Sequence, residues 1–147
     1  MNVIISNKYQ ALLSSLGLDV IKSLNGEFTV EDLAAQFNNF YYNKMIIDIT
    51  AIKGYEDVNI MRNLSMNFNM NNVIILLDDS QKVNSPNYLS QLVSAGIYNF
   101  TRSVDAIKFL MENPNSYKDV ANFQNFNNDS NFGAEAKMFD STANNYK

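Results

Sequence analysis

The chain has 147 residues, 46% of them hydrophobic, and a formal net charge of −4, which fits one globular domain with a tail. It contains no cysteine and no histidine, which excludes disulfides, Cys/His metal sites, thiol nucleophiles and Ser-His-Asp triads. Because the chain is mildly acidic and has no basic cluster, we expect no nucleic-acid partner.

The first residues predict two strand–helix units. Asn2–Ser6 is rich in β-branched residues and predicts a strand, and the leucine spacing in residues 8–16 predicts a helix. Residues 18–24 predict the second strand. Thr29, with an acidic residue three positions later, predicts the start of a second helix over residues 30–37.

The middle of the chain continues the alternation. Residues 44–49 predict the third strand, and residues 55–67 predict the third helix. Residues 72–77 form the most continuously apolar run, which is typical of a central strand in a parallel sheet. The acidic residues Asp78 and Asp79 are expected to turn the chain after that strand.

A fifth unit completes the pattern. Ser85 and Pro86 predict the start of a fourth helix, residues 97–100 predict the fifth strand, and Ser103 is expected to cap the last helix. Five alternating strand–helix units within residues 1–113 predict a parallel sheet with helices on both faces and right-handed crossovers.

The last part of the sequence differs in character. Residues 114–147 are rich in asparagine and lack a lasting periodicity, which predicts a tail or linker. For its first part, the alternative is a short extra helix at residues 117–126, where apolar and aromatic residues recur. The chain therefore divides into a domain of residues 1–113 and this tail.

Three local patterns point to a known family. Asn25-Gly26-Glu27 follows the second predicted strand, MIID at residues 45–48 closes the third, and LSQLVSAGIYNF at residues 89–100 spans the fourth helix and fifth strand. In this order and spacing, residues 1–113 resemble the receiver domain of two-component response regulators. The resemblance implies a doubly wound α/β fold, with a five-stranded parallel sheet in the flavodoxin-like, CheY-like order 2-1-3-4-5.

Asp48 stands where the phosphoacceptor of a receiver would stand. Phosphoryl transfer there requires Mg²⁺ held by carboxylates, which the family takes from an acidic pair after the first strand. Those positions are Ser6 and Asn7 in this chain, and both are uncharged. We therefore expect no metal and no cofactor, and we expect Asp48 to be a structural carboxylate hydrogen-bonded to the next loop.

The other positions that would contact a phosphoryl group also differ from the family. Leu77 replaces the Thr or Ser at the end of the fourth strand, and Asp78 after it would repel a phosphoryl group. In place of the lysine at the end of the fifth strand stands Arg102, within the stretch TRS. An ion pair between Arg102 and Asp48 is one expectation for this position, and a solvated arginine is the other.

These differences predict a pseudo-receiver, a receiver-like domain that has lost phosphotransfer and is not an enzyme. Similar domains occur at the N-terminus of pilus-assembly and localisation ATPases of the ParA/MinD type, the TadZ/CpaE-like proteins. The resemblance implies a cytoplasmic interaction domain that forms a homodimer or docks on a protein partner. The apolar runs are too short for membrane insertion. The interaction face would include Leu89, Tyr98 and Phe100.

Two alternatives stay open. The first is a phosphorylatable response regulator that uses Asp48 despite its unusual neighbours. The second is a flavodoxin-like domain that binds a small ligand or nucleotide. It is disfavoured because residues 6–9, SNKY, contain no glycine with which to wrap a phosphate.

Overall fold

Five strands form a single sheet in the computed structural model, which describes residues 1–124. The strand order is β2-β1-β3-β4-β5, and every neighbouring pair is parallel. This confirms the predicted doubly wound, flavodoxin-like topology. The strands are β1 (Asn2–Ser6), β2 (Val20–Asn25), β3 (Met45–Asp48), β4 (Val73–Leu76) and β5 (Phe100–Thr101).

Helices follow each strand. They are α1 (Gln10–Ser14), α2 (Val30–Phe37), α3 (Val58–Asn67), α4 (Pro86–Ser94), α5 (Ile107–Glu112) and α6 (Tyr117–Val120). Short 3-10 turns lie at Ile49–Ala51, Met70–Asn72, Val104–Ala106 and Ala121–Gln124. Within residues 1–124, no helix is both long enough and apolar enough to cross a membrane.

The helices cover both faces of the sheet because side chains alternate between the two faces of each strand. On one face, Ile4, Ile46 and Ile74 form a buried cluster with the inward side chains of α1 and α5. On the other face, Val3 and Ile47 belong to a larger core that includes the inward side chains of α2, α3 and α4. The carboxyl ends of β1, β3 and β4 therefore lie together at one edge of the sheet.

Two of the predicted helix starts are confirmed. The Thr29 hydroxyl accepts a hydrogen bond from the amide of Asp32 at 3.0 Å, which satisfies an N–H group at the start of α2. The Ser85 hydroxyl likewise accepts from the amide of Tyr88 at 3.1 Å, and Pro86 occupies the first turn of α4.

The predicted cap at Ser103 is confirmed in position but not in its side chain: Ser103 directly precedes the 3-10 turn Val104–Ala106, and its carbonyl accepts from the Ala106 amide at 3.1 Å. In the described chain, the Ser103 side chain makes no cap hydrogen bond, and the following residues form a 3-10 turn before α5. The reason lies in the preceding strand, because the Thr101 hydroxyl accepts a hydrogen bond from the Ser103 amide at 3.0 Å. The Thr101 hydroxyl and the Ser103 carbonyl therefore both hold the turn that leads into α5.

The fifth strand begins later than predicted. Ile97 is buried, but its amide donates to the carbonyl of Leu92 at 3.0 Å, so it belongs to the C-terminal turn of α4. Gly96 closes this turn with a φ of 85°, in the left-handed region that favours glycine. Pairing with β4 starts only at Phe100, so the prediction of a strand at residues 97–100 was wrong in its start.

Two helices are shorter than predicted at their beginnings. The amides of Asn7 and Tyr9 bond to Asp48, so α1 starts at Gln10 rather than at residue 8. Residues 53–56 form turns, and the Asp57 carboxylate accepts from the Asn59 amide at 2.9 Å to cap α3. Local hydrogen bonds therefore override the helical pattern at both positions.

The chain continues in contact with the domain after α5. Val120 and Phe123 are buried in the larger core, and the ring of Phe123 lies 5.5 Å from that of Phe100. The packed unit therefore includes residues up to Gln124, with α6 and a 3-10 turn in the part for which a tail or a short helix was predicted. The rest of the predicted tail, residues 125–147, lies outside the described residues.

Candidate functional site

Asp48 lies at the carboxyl end of β3, the central strand of the sheet, and its side chain is 0% exposed. Burying a carboxylate is unfavourable unless donors compensate for the lost water. The donors that surround this carboxylate therefore decide what it can do.

Four donors from the protein point at the Asp48 carboxylate. Oδ2 accepts hydrogen bonds from the amides of Asn7 at 2.9 Å and Tyr9 at 2.7 Å. Oδ1 accepts from the amide of Thr50 at 2.9 Å and from its hydroxyl at 2.7 Å. An ionised carboxylate offers about four lone-pair positions, so this set fills its usual capacity.

Thr50 connects this network to the backbone amide of Lys8 and to the side chain of Asn7. Its Oγ1 donates to Asp48 and accepts from the amide of Lys8 at 3.1 Å. Its carbonyl accepts from the side-chain amide of Asn7 at 3.0 Å. We call Asp48, Thr50 and residues 7–9 the Asp48 clamp, because their hydrogen bonds fasten the loop after β1 to the loop after β3.

The positions of the receiver's acidic pair contribute neutral groups. The Ser6 hydroxyl lies 3.5 Å from the carbonyl of Leu24, on the neighbouring strand, and Asn7 supplies an amide to Asp48. Across residues 1–124, no group of three or more acidic, histidine or cysteine side chains is arranged to hold a metal ion. The loops after β1 and β3 thus direct backbone N–H groups at Asp48, and N–H groups cannot serve as the oxygen ligands that Mg²⁺ requires.

The end of β4 is organised around Asp78. Leu77 is buried, and its amide donates to the carbonyl of Thr101 at 2.8 Å. The Asp78 carboxylate accepts from the amide of Ser80 at 3.2 Å and from its hydroxyl at 2.8 Å, which confirms the predicted turn. Its other oxygen accepts from the Tyr55 hydroxyl at 2.7 Å.

Tyr55 and Tyr88 connect the loop after β4 to the loop before α3 and to the start of α4. The Tyr88 hydroxyl donates to the carbonyl of Tyr55, so the start of α4 is tied to the loop before α3. Burial, together with the hydrogen bond to Asp78, raises the pKa of Tyr55 above its usual value, and burial raises the pKa of Tyr88 in the same direction. Both hydroxyls therefore remain protonated donors over the ordinary pH range.

Arg102 lines a cavity of about 230 Å³ beside the end of β4. Tyr9, Asp78 and Asp79 also line this cavity, together with apolar side chains from α1, β4 and the turn before α5. Its rim carries an exposed ion pair between Lys8 and Asp79 at 3.9 Å, which contributes little to stability. The expected pairing of Arg102 with Asp48 stays a prediction.

The residues proposed for an interaction face have unequal exposure. Leu89 is 3% exposed and Phe100 is 1% exposed, so neither side chain offers a surface to a partner in this conformation. Tyr98 is partly exposed, and its ring lies 6.1 Å from that of Tyr117 on α6. The face around α4 and β5 is therefore covered by the chain itself.

Sequence reasoning missed Thr50 and Tyr55 as members of the site. The Asp-x-Thr spacing at residues 48–50 could have indicated a local turn, because Asp side chains often accept from the amide two residues on. Tyr55 gives no comparable signal, because its partner Asp78 is 23 residues away. The amides of Asn7 and Tyr9 act through the backbone, so their residue types do not reveal them.

Comparison with known proteins gave no relatives. A scan against protein-family models, a search of curated proteins and a search of solved structures each found no match to this chain. Function is therefore inferred from the geometry of the site and from the resemblance in sequence.

Proposed function

We propose that this chain is a non-catalytic, receiver-like domain that acts by binding protein partners, including a second copy of itself. One observation carries the proposal: the Asp48 carboxylate is fully buried and both of its oxygens are occupied by protein donors. A phosphoacceptor would need one of those oxygens free to attack a phosphoryl group.

The chemistry of phosphoryl transfer explains why this occupancy matters. The attacking oxygen must lie in line with the leaving group, and Mg²⁺ must neutralise the charge that develops on the phosphoryl oxygens. At Asp48, attack through Oδ2 would require the loss of two backbone hydrogen bonds, and attack through Oδ1 would break both bonds to Thr50. Because Ser6 and Asn7 carry no charge, cation binding at these residues would not offset the loss of those hydrogen bonds.

The Asp48 clamp explains why a domain that does not carry out phosphotransfer would still need the aspartate. It holds the loops after β1 and β3 in one arrangement, at the edge of the sheet where ligands of such folds usually bind. The domain would then present a constant surface rather than a switched one. The resemblance to pilus-assembly and localisation ATPases supports a place in the N-terminal part of such a cytoplasmic protein.

The decisive experiment is treatment with a small phosphodonor and Mg²⁺, followed by intact mass measurement. A receiver domain with a complete acidic site, treated in the same way, serves as the positive control. We expect the mass of this chain to stay unchanged. A gain of one phosphoryl group that the Asp48→Asn variant lacks would establish a phosphorylatable response regulator and overturn the proposal.

Self-association is measured separately by sedimentation velocity over a range of protein concentrations. We expect a dimer whose fraction rises with concentration by mass action. A chain that sediments as a monomer throughout would contradict the homodimer part of the proposal.

A further inference from the structure

Residues 115–124 lie along α4 and β5, and we call them the C-terminal strap. At its start, the Asn115 amide donates to the side-chain oxygen of Asn99 at 2.6 Å. The side-chain amide of Asn115 donates to the carbonyl of Tyr98 at 3.1 Å. Both partners precede β5, so the strap is fixed there immediately after the chain leaves α5.

The middle of the strap is apolar on the side that faces the domain. Val120 and Phe123 are buried, and the Phe123 ring lies 5.5 Å from the ring of Phe100. Tyr117 packs against Tyr98 with 6.1 Å between the ring centroids. These three strap residues recur every third position, which places them on one side of a tightly wound helical segment.

Polar contacts fix the far end of the strap. The side-chain amide of Gln124 donates to the Ser94 hydroxyl at 2.7 Å and lies 3.4 Å from the carbonyl of Ser90. The Tyr117 hydroxyl donates to the Gln124 side-chain oxygen at 2.7 Å, which closes the strap on itself. The strap is thus bound as a short helical peptide would be: apolar anchors in the middle and hydrogen bonds at both ends.

We propose that the α4–β5 surface is a peptide-binding groove, and that the strap of a second copy enters it in place of the chain's own. The strap is joined to α5 only through Asn113 and Pro114. When two copies exchange straps, each contact between a strap and its own domain is replaced by the same contact with the other copy's domain. The exchange requires only that the two-residue hinge opens.

Charge does not oppose this exchange. The strap carries one lysine and one aspartate, Lys118 and Asp119, and α4 carries no charged residue. The groove and its ligand are therefore neutral overall, and two copies meet there without like-charge repulsion. The inference rests on the proposed role as an interaction domain, but its tests do not involve Asp48, so it can fail while the phosphodonor result still supports the loss of phosphotransfer.

The first test measures binding of a labelled peptide with the sequence of residues 115–124 to the full chain carrying Phe123→Asp. An aspartate cannot occupy the buried position of Phe123, so the variant releases its own strap and opens the groove. The matched control is Phe109→Asp, which makes the same change at an exposed position on α5. Circular dichroism and a urea midpoint establish that each variant is folded.

We expect saturable fluorescence anisotropy with Phe123→Asp, and much weaker binding with the wild type and with Phe109→Asp. In those two chains the tethered strap competes at an effective concentration of about 1 mM, which weakens a peptide with a Kd of about 10 μM roughly 100-fold. If folded Phe123→Asp does not bind the peptide, or if all three chains bind it equally, the proposal of a peptide-binding groove is overturned. If Phe123→Asp does not fold, a specific protease site in place of residues 113–114 allows the strap to be cut free after folding, and the same outcomes apply.

The second test identifies the occupant, and it exploits the absence of cysteine from the chain. Ser94→Cys with Gln124→Cys places two thiols where the two side chains now make a hydrogen bond. Under mild oxidation at low concentration we expect a cross-linked monomer, and after refolding at high concentration we expect a covalent dimer that reduction dissolves. Each single variant is the control for random cross-linking. A double variant that never forms a dimer beyond the level of the single variants overturns strap exchange.

Discussion

The Asp48 clamp makes a quantitative prediction for Asp48→Asn, which changes one carboxylate oxygen to an NH₂ group and alters little else. Each oxygen of Asp48 accepts two hydrogen bonds, so the new NH₂ group must face two former donors. The less costly orientation directs the NH₂ group at Thr50, because the Thr50 hydroxyl can rotate and accept from it. The backbone amide of Thr50 then has no acceptor.

The size of the effect follows from these contacts. An unsatisfied buried amide costs about 1–3 kcal/mol. The two bonds from Asn7 and Tyr9 survive, but they lose about 1 kcal/mol each because their acceptor becomes neutral. Burying a neutral amide instead of a charge offsets part of this loss. We therefore expect Asp48→Asn to lower the free energy of unfolding by about 3 kcal/mol, a large share of the 5–15 kcal/mol typical of a domain.

The assay is urea unfolding followed by circular dichroism, with the free energy taken from the midpoint and slope. Asp79→Asn is the matched control, since the Asp79 side chain is 79% exposed and lies 3.9 Å from the exposed Lys8 ammonium. Its free energy of unfolding should stay within about 0.5 kcal/mol of the wild type. A stability for Asp48→Asn equal to or above that of the wild type would refute the clamp as the reason for the aspartate.

Two further predictions concern the same edge of the sheet. Thr50→Val should lower the free energy of unfolding by about 2 kcal/mol, because it removes the hydroxyl that bonds Asp48 and the Lys8 amide. Thr50→Ser keeps that hydroxyl and should lower the free energy of unfolding by less than about 1 kcal/mol. Equal losses for the two variants in urea unfolding would contradict the role of the hydroxyl. The pKa of Tyr55 and of Tyr88 is higher in the folded state than the usual value of 10.0. The folded state therefore keeps its full stability below about pH 10 and loses stability as the pH rises above it. Each tyrosine should contribute up to about 1.4 kcal/mol per pH unit to that decline, so Tyr55→Phe should show a shallower profile than the wild type; parallel profiles above about pH 10 would contradict it.

The sheet could be predicted closely from the sequence where apolar runs are bounded by polar residues. The bounds of β1 matched the prediction, and β3 and β4 lie within the predicted ranges, because their residues are buried on both faces. Predictions failed where local hydrogen bonds compete with the pattern. Ile97 belongs to the turn that ends α4, and residues 7–9 bond to Asp48 instead of starting α1.

The site could be predicted only in part. The position of Asp48 at the end of a central strand followed from the pattern, and so did its uncharged neighbours Ser6 and Asn7. The way in which its carboxylate is satisfied did not, because backbone amides carry no residue-specific signal. Burial of Phe100 beneath the strap also escaped prediction, since Phe123 lies 23 positions further along in a segment with little periodicity.

The central position of β3 has a consequence for the growing chain. One edge of β3 pairs with β1, which is made earlier, but its other edge pairs only with Val73–Leu76. During synthesis, Met45–Asp48 therefore presents an apolar strand with one unpaired edge until β4 has emerged. Such an edge is a template for pairing with other chains. Pairing with β4 closes this edge, so the arrival of β4 protects β3 from pairing with other chains.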